Sequence, residues 1–450
     1  MGSTRAEGIQ AGRLAPADYE ANFSDIHAPL SRHEAFVESE RCYFCHDAPC
    51  QTACPTSIDI PLFIREIASG NDLGAAETIL SANILGGMCA RVCPTETLCE
   101  EACVREHAEG KPVKIGLLQR HATDRLMESG KQPFKRAAST GKKVAVVGGG
   151  PAGLSCAHKL AELGHEVTIY EAKDKLGGLN EFGIAAYKST DNFAQREVDF
   201  ILSIGGITVK AGHALGHNLD IAKLRQSYDA VFVGTGLAGV NKLGLAGEET
   251  LSGVVDAVKY IAELRQAKDL AKLPVGRNVV VIGGGMTAVD VAVQSKKLGA
   301  ESVTIVYRRG QGEMKASAYE QHLAQTSGVT IRTFAQPAGL VGANGKVTGV
   351  IFDETEVKGG KLTASGGQYT LPADMVFTAI GQIFVPDGLN GADALALESG
   401  RIVVDAERRT SVKHIWAGGD CIAGGQDLTV AAVEDGKQAA LSIHHTLMGA

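Results

Sequence analysis

The chain has 450 residues, enough for several domains, and an ordinary globular composition with 44% hydrophobic and 21% charged residues. A formal net charge of −7 and only 5% aromatic residues argue against a nucleic-acid binder built on basic patches or base stacking. No apolar run approaches the roughly 18–20 residues that span a bilayer, and the first residues lack the apolar centre of a secretory signal, so a cytoplasmic, reducing setting without disulfides is expected.

Residues 1–30 show no strong period and read as an arm with short helical pieces. Residues 31–130 read as helical and cysteine-rich, with apolar residues at helical spacing over 58–70 and 73–83. Eight of the ten cysteines fall here in two blocks, Cys42, Cys45, Cys50 and Cys54, then Cys89, Cys93, Cys99 and Cys103. Pro55 and Pro94 each follow a cysteine directly and interrupt the local helix. Thiolates at such short spacings converge on a metal, and soft sulfur ligands select zinc or iron–sulfur centres. Eight cysteines would also serve two zinc sites. The Cys-Pro pairs and the redox motifs downstream favour two iron–sulfur clusters. Cys156 and Cys421 stand apart and read as small core residues.

A basic, polar stretch over 131–143 reads as a linker, and from residue 144 the texture becomes α/β. The run 144–149 is a buried strand that leads into Gly148, Gly150, Pro151, Ala152 and Gly153, a G-x-G-x-x-G fingerprint opening a helix. Gly148 permits the tight turn, Gly150 lets the backbone approach a pyrophosphate, and Gly153 lets helix pack on strand. The helix N-terminus offers its free N–H groups to the phosphates. Glu171 ends the second strand, placed to accept from ribose hydroxyls, and Gly177 and Gly178 follow.

The pattern repeats at 279–285, where Gly283, Gly284, Gly285, Met286 and Thr287 form the close variant G-x-G-x-x-A. Its second strand ends not on an acid but on Arg308 and Arg309, with Lys315 soon after. Arginine suits a 2′-phosphate, which favours NADPH, although NADH is compatible because arginine also stacks on adenine. No C-x-x-C lies between the fingerprints, so dithiol chemistry of the thioredoxin-reductase kind is not expected.

The segment 417–443 resembles the C-terminal FAD motif of flavoprotein reductases with two dinucleotide domains. There the Asp of G-G-D binds the ribityl chain and the next helix points its N-terminus at the flavin. Gly419 and Asp420 match the first part, and Thr429 and Val430 the start of the helix.

The stretches RCYFCHDAPCQTACPTSIDIPLFIREI, NILGGMCARVCPTETLCEEACV and EGKPVKIGLLQR resemble the N-terminal iron–sulfur domain of dihydropyrimidine dehydrogenase, and the likeness runs on through both nucleotide-binding segments. The chain looks most like the separate FAD/iron–sulfur subunit of the bacterial NAD-dependent enzyme, and it is related to the glutamate synthase small chain. The resemblance implies one 4Fe–4S cluster on Cys42, Cys45, Cys50 and Cys103, and another on Cys54, Cys93, Cys99 and the side-chain oxygen of Gln119, leaving Cys89 without an iron. It implies FAD contacts over Glu171–Leu179 (with Gly177, Gly178 and Leu179), at Lys188 and at Leu215. It implies nicotinamide-nucleotide contacts at Gly284–Thr287, Arg308, Arg309, Lys315, Ala379, Ile380 and Gly381.

The expected fold class is therefore α/β with an N-terminal all-α iron–sulfur domain and two Rossmann-like domains. The helical domain would occupy 1–140, the FAD domain 141–250 and 381–450, and an inserted NAD(P) domain 251–380. The resemblance implies an NAD(P)H-dependent oxidoreductase that passes electrons through FAD and its clusters. The acceptor would be a second subunit bearing FMN, further 4Fe–4S clusters and the uracil/thymine site, in a hetero-oligomer without nucleic acid or membrane. The alternative is the small subunit of a glutamate-synthase-type enzyme. No proton-transferring catalytic residue is singled out.

Overall fold

A computed structural model describes residues 6–389 and 395–449. The chain divides into two compact units. One comprises the chain up to Ile26, Phe182–Thr190 and Val240–Ile383; the other comprises His27–Glu181, Asp191–Gly239 and everything from Phe384 onward. The arm before Ile26 belongs with the second fingerprint, not with the helical region. There Gln10 bridges to Val275, and the buried Arg13 guanidinium donates from Nε to the Val275 carbonyl at 3.0 Å. The helical region and the first fingerprint form one unit with a shared core.

In the helical region, Asp59 caps the helix Ile60–Ala68 by accepting from the Leu62 N–H at 3.0 Å. Ile60, Phe63, Ile64 and Ile67 form its buried stripe at the spacing one helix face requires. Asn71 caps Asp72–Ala82 in the same way, and Ile115–Ser129 packs on that helix. Cys93 and Cys103 sit at the C-cap of Gly86–Val92 and the N-cap of Val104–Glu109, outside regular helix. The stretch 131–143 is not a loose tether: Arg136 pairs with Glu166 at 2.8 Å, and the Phe134 ring meets His158 edge-on.

The same unit holds a five-stranded parallel sheet in the order Ile415–Ala417, Ala230–Val233, Lys143–Val147, Glu166–Tyr170, Ile207–Lys210. The other unit repeats the design with Val254–Asp256, Met375–Thr378, Asn278–Ile282, Ser302–Val306 and Thr330–Arg332. Valine and isoleucine fill the central strands because both faces are covered. An antiparallel three-stranded meander, Ala335–Ala343, Lys346–Lys358 and Lys361–Pro372, packs on the second sheet through Phe352, Val350 and Val347. Its glycine-rich strands gave no clear alternation to read in advance. Among the described residues no single helix is long and apolar enough to cross a membrane.

Candidate functional site: two dinucleotide cradles and two thiol groups

Gly148 has φ +101° and Gly283 φ +152°, conformations open to glycine alone at a turn this tight. A Cβ on Gly148 would strike the Gly234 carbonyl, and one on Gly283 the Ala379 carbonyl. Gly153 lies against the Gly148 carbonyl, so the helix Pro151–Glu162 seats directly on the strand end. The third position of each fingerprint is different: the space before Gly285 is open, and that before Gly150 meets only Gly178 at 3.7 Å. These are the faces a pyrophosphate needs, each at the N-terminus of a twelve-residue helix, Pro151–Glu162 or Met286–Lys297.

Around the first cradle, the buried Glu171 carboxylate accepts from the Gly149 N–H at 2.7 Å and the Lys173 N–H at 2.9 Å. The Gly177 N–H reaches the Gly149 carbonyl at 2.8 Å, which folds Gly177–Leu179 back over the fingerprint. Leu215 forms a short bridge with Leu219 beyond the third strand. Asp435, buried on the C-terminal helix Thr429–Met448, accepts from the Gly419 N–H at 2.8 Å and binds Arg408 at 2.7 Å, fixing the turn that carries Asp420. Thr429 donates to Asn180 at 2.7 Å, tying the start of that helix to the segment after Gly178. Asp435 lies within the 417–443 motif and Asn180 just past Leu179, and no sequence motif marks either residue.

Asp420 itself makes no hydrogen bond or ion pair among the described residues. Burial, with Asp427 adding to it, pushes its carboxyl up to about 7. A half-buried acid with no hydrogen-bonding protein partner fits a site where a ligand hydroxyl supplies the missing donor. With the open Gly150 face, the residues of this unit fit FAD.

At the second cradle, Arg308, Arg309 and Lys315 are all exposed. Arg309 has only a distant Glu313 at 4.0 Å, and neither Arg308 nor Lys315 is ion-paired among the described residues. Ala379 pairs back to Ile282 at 2.9 Å, and Gly381 accepts from the Asn241 N–H at 3.0 Å, placing Ala379–Gly381 beside Gly283. Lys188 is the residue for which the resemblance implied a flavin contact. It belongs to the unit of the second fingerprint, buried, with its ammonium 2.7 Å from Asp290 and 2.6 Å from Glu320. Those carboxylates hold the lysine charged and raise its pKa, although burial alone would lower it.

The cysteines fall into two spatial groups. Cys42, Cys45, Cys50 and Cys103 line one cavity with Tyr43 and Ile64. Burial pushes the Cys50 thiol up to about 12, and Cys42 and Cys103 add to the rise. Cys93 is raised by its hydrogen bond with Cys89 and by burial, with Cys99 and Cys54 close enough to contribute. Cys99 is raised by burial, then by Glu100 and Cys54. Crowded thiols of this kind ionise when a cationic centre takes up their charge. No three or more His, Cys, Asp or Glu side chains among the described residues meet at a point suited to one ion. A cubane cluster takes one thiolate per iron, so its ligands surround a cavity, as these do. The residues fit an iron–sulfur cluster. The pairing of Cys103 with the first block is the crossing that the resemblance implied.

Gln119 and Cys89 divide around the second group. Gln119 donates from Nε2 to the Gly86 carbonyl at 2.7 Å, which turns its oxygen the other way. Cys89 is 2% exposed, within the core and hydrogen-bonded to Cys93. Cys156 and Cys421 are buried and unpaired, as expected of core residues.

Two repeated dinucleotide folds joined to a helical, cysteine-rich region define a pyridine-nucleotide flavoprotein with an attached iron–sulfur domain. Residues 123–436 match the family described as pyridine nucleotide-disulphide oxidoreductase, and residues 19–131 match the dihydropyrimidine dehydrogenase domain II 4Fe–4S cluster family. The fold resembles thioredoxin reductase of T. acidophilum, with TM-score 0.53 and 23% identity over 68% of this chain and 99% of that one. The NAD-dependent dihydropyrimidine dehydrogenase subunit PreT of Escherichia coli K12 is 37% identical over 92% of this chain and 95% of its own. The small chain of glutamate synthase [NADPH] from the same organism is 34% identical over 94% of each chain. The chain belongs to the PreT-like family of NAD-dependent dihydropyrimidine dehydrogenase subunits, related to the glutamate synthase small chain.

Proposed function

We propose that this chain is the electron-donating subunit of a cytoplasmic dihydropyrimidine dehydrogenase. It would oxidise NAD(P)H and pass the electrons to a partner subunit with FMN, further 4Fe–4S clusters and the site where uracil or thymine is reduced. The observation that carries the reading is the cavity shared by Cys42, Cys45, Cys50 and Cys103, from both cysteine blocks, in the unit that also holds the first cradle. When bound, FAD and two 4Fe–4S clusters supply the conversion of a two-electron hydride donor into single-electron steps.

The protein's own part is binding and orientation. The Gly148–Gly153 turn and its helix hold the FAD pyrophosphate, Glu171 the ribose, and Gly177–Leu179, Leu215, Asp420, Thr429 and Val430 the remainder. Gly283–Thr287 and Ala379–Gly381 hold the nicotinamide nucleotide. Arg308, Arg309 and Lys315, exposed and unsatisfied, would pair with a 2′-phosphate, which favours NADPH. Cys42, Cys45, Cys50 and Cys103 hold one cluster, and Cys54, Cys93, Cys99 and the Gln119 oxygen the other. No side chain need move a proton.

The test is anaerobic assay of the chain alone and with its partner. Alone, it should reduce a dye with NAD(P)H and leave uracil untouched; with the partner, dihydrouracil should form. Dihydrouracil from the chain alone would overturn the division of labour. The 34% identity to the glutamate synthase small chain gives the second reading, which activity with a glutamate-synthase-type partner, and none with the FMN partner, would establish.

A further inference from the structure

Phe334 is an aromatic residue in the left-handed region, at φ +56°, and 40% exposed. A bulky residue pays for that backbone conformation only where the surroundings impose it, and such outliers gather at ligand sites. The constraint is visible: the Phe334 N–H donates to the Arg309 carbonyl at 3.1 Å, and its own carbonyl accepts from the Thr355 N–H at 2.8 Å. Thr355 also donates through its hydroxyl to the Arg308 carbonyl at 2.7 Å. Three hydrogen bonds thus fix the Phe334 backbone beside the two arginines, directly to Arg309 and through Thr355 to Arg308. The ring edge lies over Gly310, where even a Cβ would stand 3.1 Å from it.

The location repeats in the other unit. Phe334 lies two residues beyond the strand Thr330–Arg332, and Leu215 likewise lies beyond the matching strand Ile207–Lys210 of the first sheet. In open parallel sheets, ligands sit beyond the carboxyl ends of the strands. Thr330–Arg332 pairs with Ser302–Val306, so Phe334 and the Arg308–Arg309 pair emerge side by side at that edge.

We infer that Phe334 is the platform on which the adenine ring of the nicotinamide dinucleotide rests. It sets affinity for both NADH and NADPH, while Arg308, Arg309 and Lys315 distinguish the two. A flat ring held rigid at no side-chain entropy cost to the complex suits a base face, and every adenine nucleotide would use it. The inference deepens the nicotinamide-nucleotide reading of this cradle and rests on it.

The test uses the full-length holoprotein under anaerobic conditions, with NADPH, ADP-ribose and reduced nicotinamide mononucleotide as probes. Phe334→Gly removes the ring and relieves the left-handed backbone, so the variant should fold at least as stably as the parent. Its Kd for ADP-ribose and NADPH should rise about tenfold, with the mononucleotide, which lacks adenine, unchanged, and Phe334→Tyr should restore tight binding. Unchanged ADP-ribose affinity in Phe334→Gly, or equal weakening of the mononucleotide, would overturn the inference. Failure of the parent chain to bind either NADPH or ADP-ribose would instead remove the nicotinamide reading and this inference with it.

Discussion

Lys188→Met separates two roles for one residue. The ammonium lies between Asp290 at 2.7 Å and Glu320 at 2.6 Å, with side chains 9%, 6% and 10% exposed. Breaking a buried pair from one side costs roughly 3–5 kcal/mol because the remaining charge is uncompensated. Here two carboxylates are left facing each other. For a unit of this size, that loss corresponds to roughly 6–20 °C in the unfolding midpoint. Asp290 also accepts from the Ala185 N–H and the Tyr187 hydroxyl, so the segment Phe182–Thr190 should loosen from the helix Met286–Lys297. Hydrogen exchange should accelerate in those two stretches first. The carboxylates would escape by taking up a proton, so their pKa values rise in the folded variant. The folded form then binds more protons than the unfolded one, and stability falls as pH rises. The gap to the parent protein should therefore narrow toward pH 4 and widen at neutrality. FAD content per folded molecule should stay near the parent's. A variant with an unchanged midpoint that loses its flavin absorbance would refute the ion-pair account and return Lys188 to the flavin.

Arg308→Ala with Arg309→Ala should raise the KM for NADPH far more than for NADH, measured side by side with a dye acceptor. Asp420→Asn should lower FAD retention on gel filtration. Because burial raises Asp420 from 3.8 to about 7, flavin-free parent protein should also lose stability as pH rises through that window, and the Asn variant should lose less. Gln119→Ala should alter the low-temperature spin-resonance spectrum of one cluster, whereas Cys89→Ser should leave both spectra intact; the opposite pair of results would make Cys89 the ligand. Gly436→Ala would drive a methyl group into the Ala152 carbonyl where the two helices cross, costing about 1–3 kcal/mol by overpacking, which thermal unfolding would read.

The dinucleotide cradles were legible because their residues are dictated by backbone geometry. Gly148, Gly153 and Gly283 occupy places where a Cβ meets a carbonyl, and that constraint is written locally. The cysteines stood out from their spacing alone, but their sorting in space did not. Cys103 lines one cavity with Cys42, a meeting of the two blocks that no local pattern records. Lys188 was the least legible: its partners lie far along the chain, and a lysine in sequence does not announce burial between two acids. Phe334 carried no motif at all; what marks it is a backbone angle. The arm before Ile26 was read as belonging to its sequence neighbours, because a single bridge and one buried arginine leave no periodic trace.

The two units also differ in when they can be completed during synthesis. Every segment of the nicotinamide unit has been made once the chain passes Ile383. The other unit waits for Ile415–Ala417 to add the edge of its sheet beside Ala230–Val233, and for Thr429–Met448 to cover Pro151–Glu162. Its closing contacts span the whole inserted unit, and such long-range pairings form late. Asp420 and Thr429 lie in those later segments, so the flavin cradle is finished only after the nicotinamide unit has been made. The cysteine helices, made before that unit, must meanwhile persist beside an open sheet. A ribosome-bound chain stalled before Ile415 should bind nicotinamide nucleotide and no FAD.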